Sequence, residues 1–312
     1  MKLIAVLNSD GGTFRNMDMA AFAATAVQQF AAAGHEVDVR LVARDDLAGA
    51  LERAVRDPSA DGLIAGGGDG TISAAAGLCF RHGKPLGVVP AGTMNLFARS
   101  LRMPLDPGAA MASLAGATIE RVDIATANGR PFVHQFAVGL HPRLVRLRNG
   151  LNYHGRWGKM FASVRAVSAA MLRPLAFDVE VEATHQSRTL RAAAISVSNN
   201  MLDEGHFPYA ETLDAGVLGV YLVRPMPAPE VLRLLAELMI GSWKGNPLVT
   251  EQEVRRVVLR FPHRKFGAQA VIDGELIALE SAIELRIEAG GLLVLRPQRL
   301  EADGAQAVSA TA

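Results

Sequence analysis

The 312-residue sequence has one cysteine, Cys79, so no internal disulfide can form. Cys79 lies in an apolar, alanine-rich stretch, the setting of a buried structural thiol and not of a nucleophile. Charge of one sign is missing too. Thirty-two Lys and Arg face 31 Asp and Glu, a formal net charge of +1, so no global field draws the chain to nucleic acid, and none is expected as a partner. Any attraction to a membrane has to come from a local basic patch. No stretch reaches the ~18 apolar residues that span a bilayer. The opening segment, Met1 to Gly12, falls short of the ~7–15 apolar residues of a signal-peptide core. No internal repeat is visible. These absences lead to the expectation of a cytoplasmic protein that meets membranes only transiently, at their surface.

What is present is an apolar chain, 50% hydrophobic, long enough for two domains at ~100–200 residues each. Leu3 to Leu7, Val37 to Val42, Asp61 to Ala65 and Leu86 to Val89 read as short strands. Between them Met17 to Ala33 (Asp18 as N-cap, Gly34 as stop), Asp45 to Arg56 and Ile72 to Arg81 read as helices, and a further helix runs from Asn95 to Leu101. That alternation predicts an α/β domain over residues 1–120, a parallel sheet with helices on both faces. After Glu120 strands follow one another at Arg121 to Ala127, Arg130 to Val138, Ala176 to Ala183, Arg188 to Val197, Val217 to Val223, Val254 to Phe261, Gln269 to Asp273, Ser281 to Ile287 and Leu292 to Leu295. Two helices interrupt them, at Gly158 to Leu172 and Ala228 to Ile240. This second pattern predicts a β-rich, antiparallel sandwich-like domain over residues 121–300, its final strand free to return to the first domain. Residues 301–312 read as a disordered tail. An exposed sheet edge in the second domain offers a route to a homodimer.

Three polar, glycine-containing turns fall at the carboxyl ends of the predicted parallel strands, where open α/β sheets bind ligands. Asn8, Gly11, Gly12 and Thr13 belong to the first, Gly67-Gly68-Asp69-Gly70-Thr71 to the second, and Pro90-Ala91-Gly92-Thr93-Met94-Asn95 to the third. Glycines let backbone N–H groups approach phosphate oxygens, and a helix N-terminus adds favourable partial charge. The Walker spacing is absent, as is G-x-G-x-x-G with its acidic partner. Asp69 would repel phosphate unless it positions magnesium or accepts the proton of an acceptor hydroxyl. Thr93 and Asn95 can donate to phosphate or cap the helix that follows.

Gly67-Gly68-Asp69-Gly70-Thr71 followed by Pro90-Ala91-Gly92-Thr93-Met94-Asn95-Leu96-Phe97-Ala98-Arg99 resembles the catalytic domain of the diacylglycerol kinase family, which includes bacterial lipid kinases, sphingosine kinases and ceramide kinases. Val122-Asp123-Ile124, Phe136-Ala137-Val138-Gly139-Leu140, Ser198-Asn199-Asn200 and Asp273-Gly274-Glu275 extend the likeness to about Pro297. The resemblance implies ATP and Mg2+ as cofactors, and a cleft between two domains. It implies transfer of the γ-phosphate to a hydroxyl of a diacylglycerol-like or sphingoid lipid at the membrane surface. It puts nucleotide phosphates on Gly67, Gly68, Gly70 and Thr71, with Gly92, Thr93 and Asn95 nearby. Asp69 and Glu275 are the implied catalytic carboxylates: Glu275 is the first choice of base, and Asp69 is the rival and a candidate ligand of the catalytic magnesium.

The sequence departs from that family in places. The first loop lacks the usual proline and carries Asp10, leaving Arg15 either to supply the loop's charge or to be solvated. Where relatives carry Asp-Asp-Gly-x-Leu-Asp around a structural magnesium, this chain has Asp214 but Gly219 at the later acidic position. A single carboxylate is a poor cage for that metal. His141 stands where relatives often carry an acid. Arg143, Arg146, Arg148, Arg156, Lys159, Arg165 and Arg173, interleaved with Leu147, Tyr153, Trp157 and Phe161, form either a lipid-docking surface or a helix packed in the second domain. Two other functions stay open at this point: a kinase of a soluble acceptor such as NAD, and a non-catalytic nucleotide or lipid sensor.

Overall fold

The computed structural model describes residues 1–150, 176–183, 186–206, 208–264 and 267–297. The helix read at Gly158 to Leu172, most of the basic stretch and the tail lie outside them. The first half alternates as its periodicity demands: β1 (Lys2–Asn8), α1 (Met19–Ala32), β2 (Glu36–Val42), α2 (Leu47–Arg56), β3 (Gly62–Gly67), α3 (Asp69–His82), β4 (Leu86–Pro90) and α4 (Leu96–Ser100). Asp18 caps α1 through its side chain, which accepts from the amides of Ala20 and Ala21. A further helix, α5 (Pro107–Leu114), escaped the sequence reading. It is short, yet it carries Asp106 as a side-chain cap and a proline in its first turn.

Strands β2, β1, β3 and β4 pair in parallel in that order. Right-handed crossovers then put α1 on one face and α2 and α3 on the other. Contacts of α1 with α5 and of α2 with α3 agree. The chain reverses direction across the sheet between β1 and β3, so the crevice of the fold opens at their carboxyl ends. Both ends carry glycine turns.

The second half is built from β5 (Thr118–Ala127), β6 (Arg130–Phe132), β7 (Gln135–Gly139), α6 (Leu140–Gly150), β8 (Phe177–Ala183), β9 (Gln186–Ala192), β10 (Ala194–Asn199), β11 (Leu218–Val223), α7 (Ala228–Ile240), β12 (Val249–Val254), β13 (Arg256–Arg260), β14 (Gln269–Ile272), β15 (Glu275–Ala278) and β16 (Ala282–Arg296). A six-stranded antiparallel sheet runs β12-β11-β10-β7-β14-β15. It packs against the antiparallel part of the first sheet, β5, β8, β13 and β16, over a shared apolar core that includes Phe132, Phe136, Val197, Val257 and Leu285. The chain is thus an α/β half followed by an antiparallel sandwich. Strand β16 joins both, pairing with β5 and β13 and meeting β4 in parallel at Val294. Its Leu292, Val294 and Leu295 enter the core of the first half.

Five strand readings change. Arg130 to Val138 is two strands, β6 and β7, because the amides at Val133 and His134 turn away to a buried carboxylate. Arg188 to Val197 divides at Ala193 into β9 and β10, while Ser281 to Ile287 and Leu292 to Leu295 are one strand with a bulge at its glycines. Val254 ends β12, a polar edge strand without a readable apolar pattern, and only Arg256–Arg260 forms β13. Among the described residues no helix is long and apolar enough to cross a membrane.

Candidate active site

The turns after β1 and β3 meet the loop after β4 at a cleft of about 470 Å³. Of the residues singled out in the sequence, Asn8, Gly11, Gly12, Gly68, Gly70, Thr71, Gly92 and Glu275 line it. Thr13, Gly67, Asp69, Thr93 and Asn95 stand beside it, and Asp214 is exposed on another loop.

Close backbone approach explains the glycines. Gly12 has a φ of +51°, and a Cβ there would stand 1.6 Å from the carbonyl oxygen of Ala91, which accepts from the amide of Thr13. A Cβ on Gly92 would stand 2.7 Å from Cα of Gly68. The three turns are therefore in mutual contact through backbone alone. Gly12→Ala is expected to destabilise the fold by about 1–3 kcal/mol, read as a lower unfolding midpoint. Gly70→Ala is the control, since nothing lies within 4 Å of its added Cβ; equal midpoints for the two would refute the steric account.

Polar side chains fix the loops. The Asp69 carboxylate accepts from the backbone amides of Asn95 (3.0 Å) and Leu96 (2.6 Å), so it caps α4 across the cleft. Asn95, itself left-handed at φ 52°, exchanges two hydrogen bonds with the backbone of Gly92 and so builds the turn. The helix α3 begins at Asp69, earlier than its periodicity shows, so its free N–H groups face the cleft.

Asp10 and Arg15 have defined places. Arg15 donates twice to the carbonyl oxygen of Asp10, and the Asp10 carboxylate accepts from the Arg44 amide at 3.0 Å. Arg15 is thus spent on its own loop. Arg44, which the sequence reading passed over, lines the cleft with Leu47, Ala48, Leu51 and Ala74. Its position just past the carboxyl end of a predicted strand was the available signal. Asn8 is buried, and its Oδ1 has no partner among the described residues, leaving an acceptor on the cleft wall.

Glu275 reaches the cleft from the tip of the β14–β15 hairpin, in a half-exposed ion pair with Arg130 at 2.7 Å. Asp273, two residues earlier, is buried. Its carboxylate accepts from Ser73 Oγ of α3 (2.6 Å) and from the amides of Val133, His134 and Gln135 (2.9 Å each). Burial pushes its carboxyl above the usual range, against the pull of these four donors. It pins the sandwich to α3.

Among the described residues no group of three or more His, Cys, Asp or Glu is arranged to hold a metal. Asp123 is buried, and each of its carboxylate oxygens accepts from a backbone amide, those of Gly216 (2.6 Å) and Gly290 (2.8 Å). It fastens the Asp214 loop to the bulge of β16. The residues present do not fit a structural magnesium cage there.

A second cavity, about 560 Å³, opens in the sandwich half between the six-stranded sheet, α6 and α7. Its wall is mostly apolar, including Leu140, Val145, Ile195, Leu202, Leu234, Leu238 and Trp243. His134 lines its inner end. Burial pushes the His134 imidazole down to about 4, with the charge of Asp69 opposing. The His134 amide shares the Asp273 carboxylate with Ser73 of α3, so this end of the cavity is tied to the helix that begins at Asp69. Cys79 is buried, and burial pushes its thiol up to about 12, as befits a packing residue.

Residues 2–127 match the model of the diacylglycerol kinase catalytic domain. The chain is 27% identical over 249 residues to an uncharacterized protein of Synechocystis, spanning 75% of this chain and 54% of that one. It is 38% identical over 118 residues to a probable lipid kinase of Pseudomonas aeruginosa, covering 36% of this chain and 38% of that one. Identity to a diacylglycerol kinase of Bacillus subtilis is 24% over 265 residues, 81% of this chain and 83% of that one. A crystal structure of a diacylglycerol kinase from Bacillus anthracis superposes with a TM-score of 0.68 at 16% identity, covering 95% of this chain and 96% of that one. At that identity the superposition speaks for the fold.

Proposed function

We propose that this chain, whose residues 2–127 match the model of the diacylglycerol kinase catalytic domain, is an ATP-dependent lipid kinase that phosphorylates a hydroxyl of a diacylglycerol-like lipid at a membrane surface. One observation carries the reading: Asp273 ties Ser73 of α3, the helix whose first turn lines the polar, glycine-built cleft, to His134, which lines the apolar cavity. A kinase of a soluble acceptor has no use for such a cavity.

In this reading the cleft takes ATP. The N–H groups of Gly68 and Gly70 and the N-terminus of α3 receive phosphate oxygens. Leu47, Ala48, Leu51 and Ala74 offer an apolar wall to the base, Asn8 Oδ1 accepts a donor from the nucleoside, and Arg44 supplies positive charge. Glu275 is the carboxylate that would hold magnesium brought with ATP, and the ion would neutralise phosphate charge.

The apolar cavity takes the acyl chains and presents the lipid hydroxyl past His134. The hydroxyl oxygen attacks the γ-phosphorus, the bond to the bridging oxygen breaks, and ADP leaves. The hydroxyl proton passes to the Asp69 carboxylate, which the Asn95 and Leu96 amides hold in place. Asp69 is preferred to Glu275 as base because it opens α3, the helix that Asp273 ties to His134 of the cavity, whereas Glu275 lines the nucleotide cleft. Catalysis is then positioning and charge stabilisation.

The test is transfer of labelled γ-phosphate from ATP to lipid in mixed micelles containing diacylglycerol. A labelled lipid supports the proposal; labelled NAD and no labelled lipid would reverse it. Arg44→Ala is expected to raise the KM for ATP roughly tenfold, about 1.4 kcal/mol, with kcat little changed. An unchanged KM would remove Arg44 from the nucleotide site.

A further inference from the structure

The Arg130–Glu275 ion pair stands at the edge of the nucleotide cleft. Arg130 Nη2 lies 2.7 Å from Glu275 Oε2, and both side chains are about half exposed, a setting in which such a pair is easily broken. The backbones beneath it are fixed. Pro131 packs where Gly77 of α3 has no side chain, since a Cβ there would stand 3.0 Å from Pro131 Cγ. Asp273, two residues before Glu275, accepts from Ser73 of α3 and from the amide of Val133, three residues after Arg130. Both side chains therefore project from rigid anchors beside α3, joined by a weak contact that a stronger ligand can replace.

Glu275 lines the cleft together with Gly68, Gly70 and Thr71 at the start of α3, where the kinase reading puts the triphosphate. Among the described lining residues only Arg44 and Glu275 carry charge. A carboxylate at that place repels phosphate, so a cation has to answer it. The guanidinium of Arg130 already lies against it. A terminal phosphate offers three oxygens and more negative charge than a carboxylate does, and the planar fork of arginine matches two of those oxygens at once.

We propose that Arg130 binds the γ-phosphate of ATP, its guanidinium exchanging the Glu275 carboxylate for phosphate oxygens as the nucleotide enters. The inference rests on the kinase reading and adds a residue to its nucleotide site. ADP, which ends at the β-phosphate, leaves the pair with Glu275 intact.

Equilibrium binding separates this from turnover. Mant-ATP and mant-ADP are titrated against the full chain, with magnesium and in EDTA. Arg130→Ala is expected to weaken mant-ATP roughly tenfold and mant-ADP less than about twofold. Arg130→Lys, which keeps the charge but not the fork, is expected to recover part of that loss. In the Glu275→Gln background the loss on Arg130→Ala is expected to be at least as large, because the guanidinium no longer has a carboxylate to give up. Circular dichroism checks the fold of each variant. Equal losses for the two nucleotides, or none, would overturn the proposal. So would a loss that shrinks in the Glu275→Gln background, since Arg130 would then serve only to neutralise the carboxylate. The expected pattern with no labelled lipid formed from ATP supports the proposal and counts against the lipid acceptor alone. Failure of both nucleotides to bind the unmodified chain in either buffer overturns the proposal together with the kinase reading.

Discussion

Asp69→Asn is expected to lower phosphate transfer roughly 100- to 10,000-fold while the protein stays folded. An amide keeps the shape but cannot take the hydroxyl proton. One carboxylate oxygen becomes an NH2 facing either the Asn95 or the Leu96 amide, so a hydrogen bond of the α4 cap is lost. That loss costs about 1 kcal/mol, too little to unfold the domain. Glu275→Gln makes a different prediction. Its carboxylate lines the nucleotide cleft and pairs with Arg130, so the variant loses activity through metal and nucleotide binding. Raising magnesium should restore part of the Glu275→Gln rate and none of the Asp69→Asn rate. Single-turnover transfer from labelled ATP, measured across magnesium concentrations with an unfolding curve for each variant, checks both. Near-wild-type turnover by Asp69→Asn would end its assignment as the base, and a magnesium rescue of that variant would recast it as a metal ligand.

Asp273→Ala is expected to be the most destabilising single change at the site, by about 3–5 kcal/mol. The carboxylate is the acceptor for four donors, three of them backbone amides that cannot turn to another partner without remaking the break between β6 and β7. Alanine leaves them buried and unmet. Ser73→Ala removes one of the four and should cost only about 1 kcal/mol. Denaturant unfolding of the two variants against the unmodified chain measures the ratio. Equal midpoints for Asp273→Ala and the unmodified chain would show that the pin does not bear on stability. The same substitution also loosens His134 and Gln135 against α3, so the link between cavity and cleft should suffer beyond the stability loss.

The pinning acids are a common thread in this fold. Asp69, Asp123 and Asp273 each spend their oxygens on backbone amides far away in sequence, and each closes a junction between elements. A carboxylate accepts several hydrogen bonds at once, which makes it suited to hold loops that have no regular partner.

The sequence by itself determined the architecture of the first half and most of its cleft. Short apolar runs separated by helical periodicity require a parallel sheet, and glycines at the strand ends mark the places where backbones and ligands come close. Asn8, Gly11, Gly12, Gly68, Gly70, Thr71 and Gly92 were legible for that reason, Glu275 only through the resemblance of Asp273-Gly274-Glu275, and the cleft gathers them all. What only the tertiary structure decided are the partners of single side chains. Whether an aspartate faces solvent, metal or a distant amide depends on what the chain brings to it: Asp273 lies 200 residues from Ser73. The same cause hid Arg44, whose own neighbourhood in sequence is an ordinary polar turn, and gave Arg15 a local task. It also hid the break at Val133 and His134, since a strand's periodicity continues straight through a place where its amides have turned to another acceptor. Local pattern fixes elements because it is set by backbone geometry, whereas charge and hydrogen-bond partners are set by contacts that form only when the elements pack.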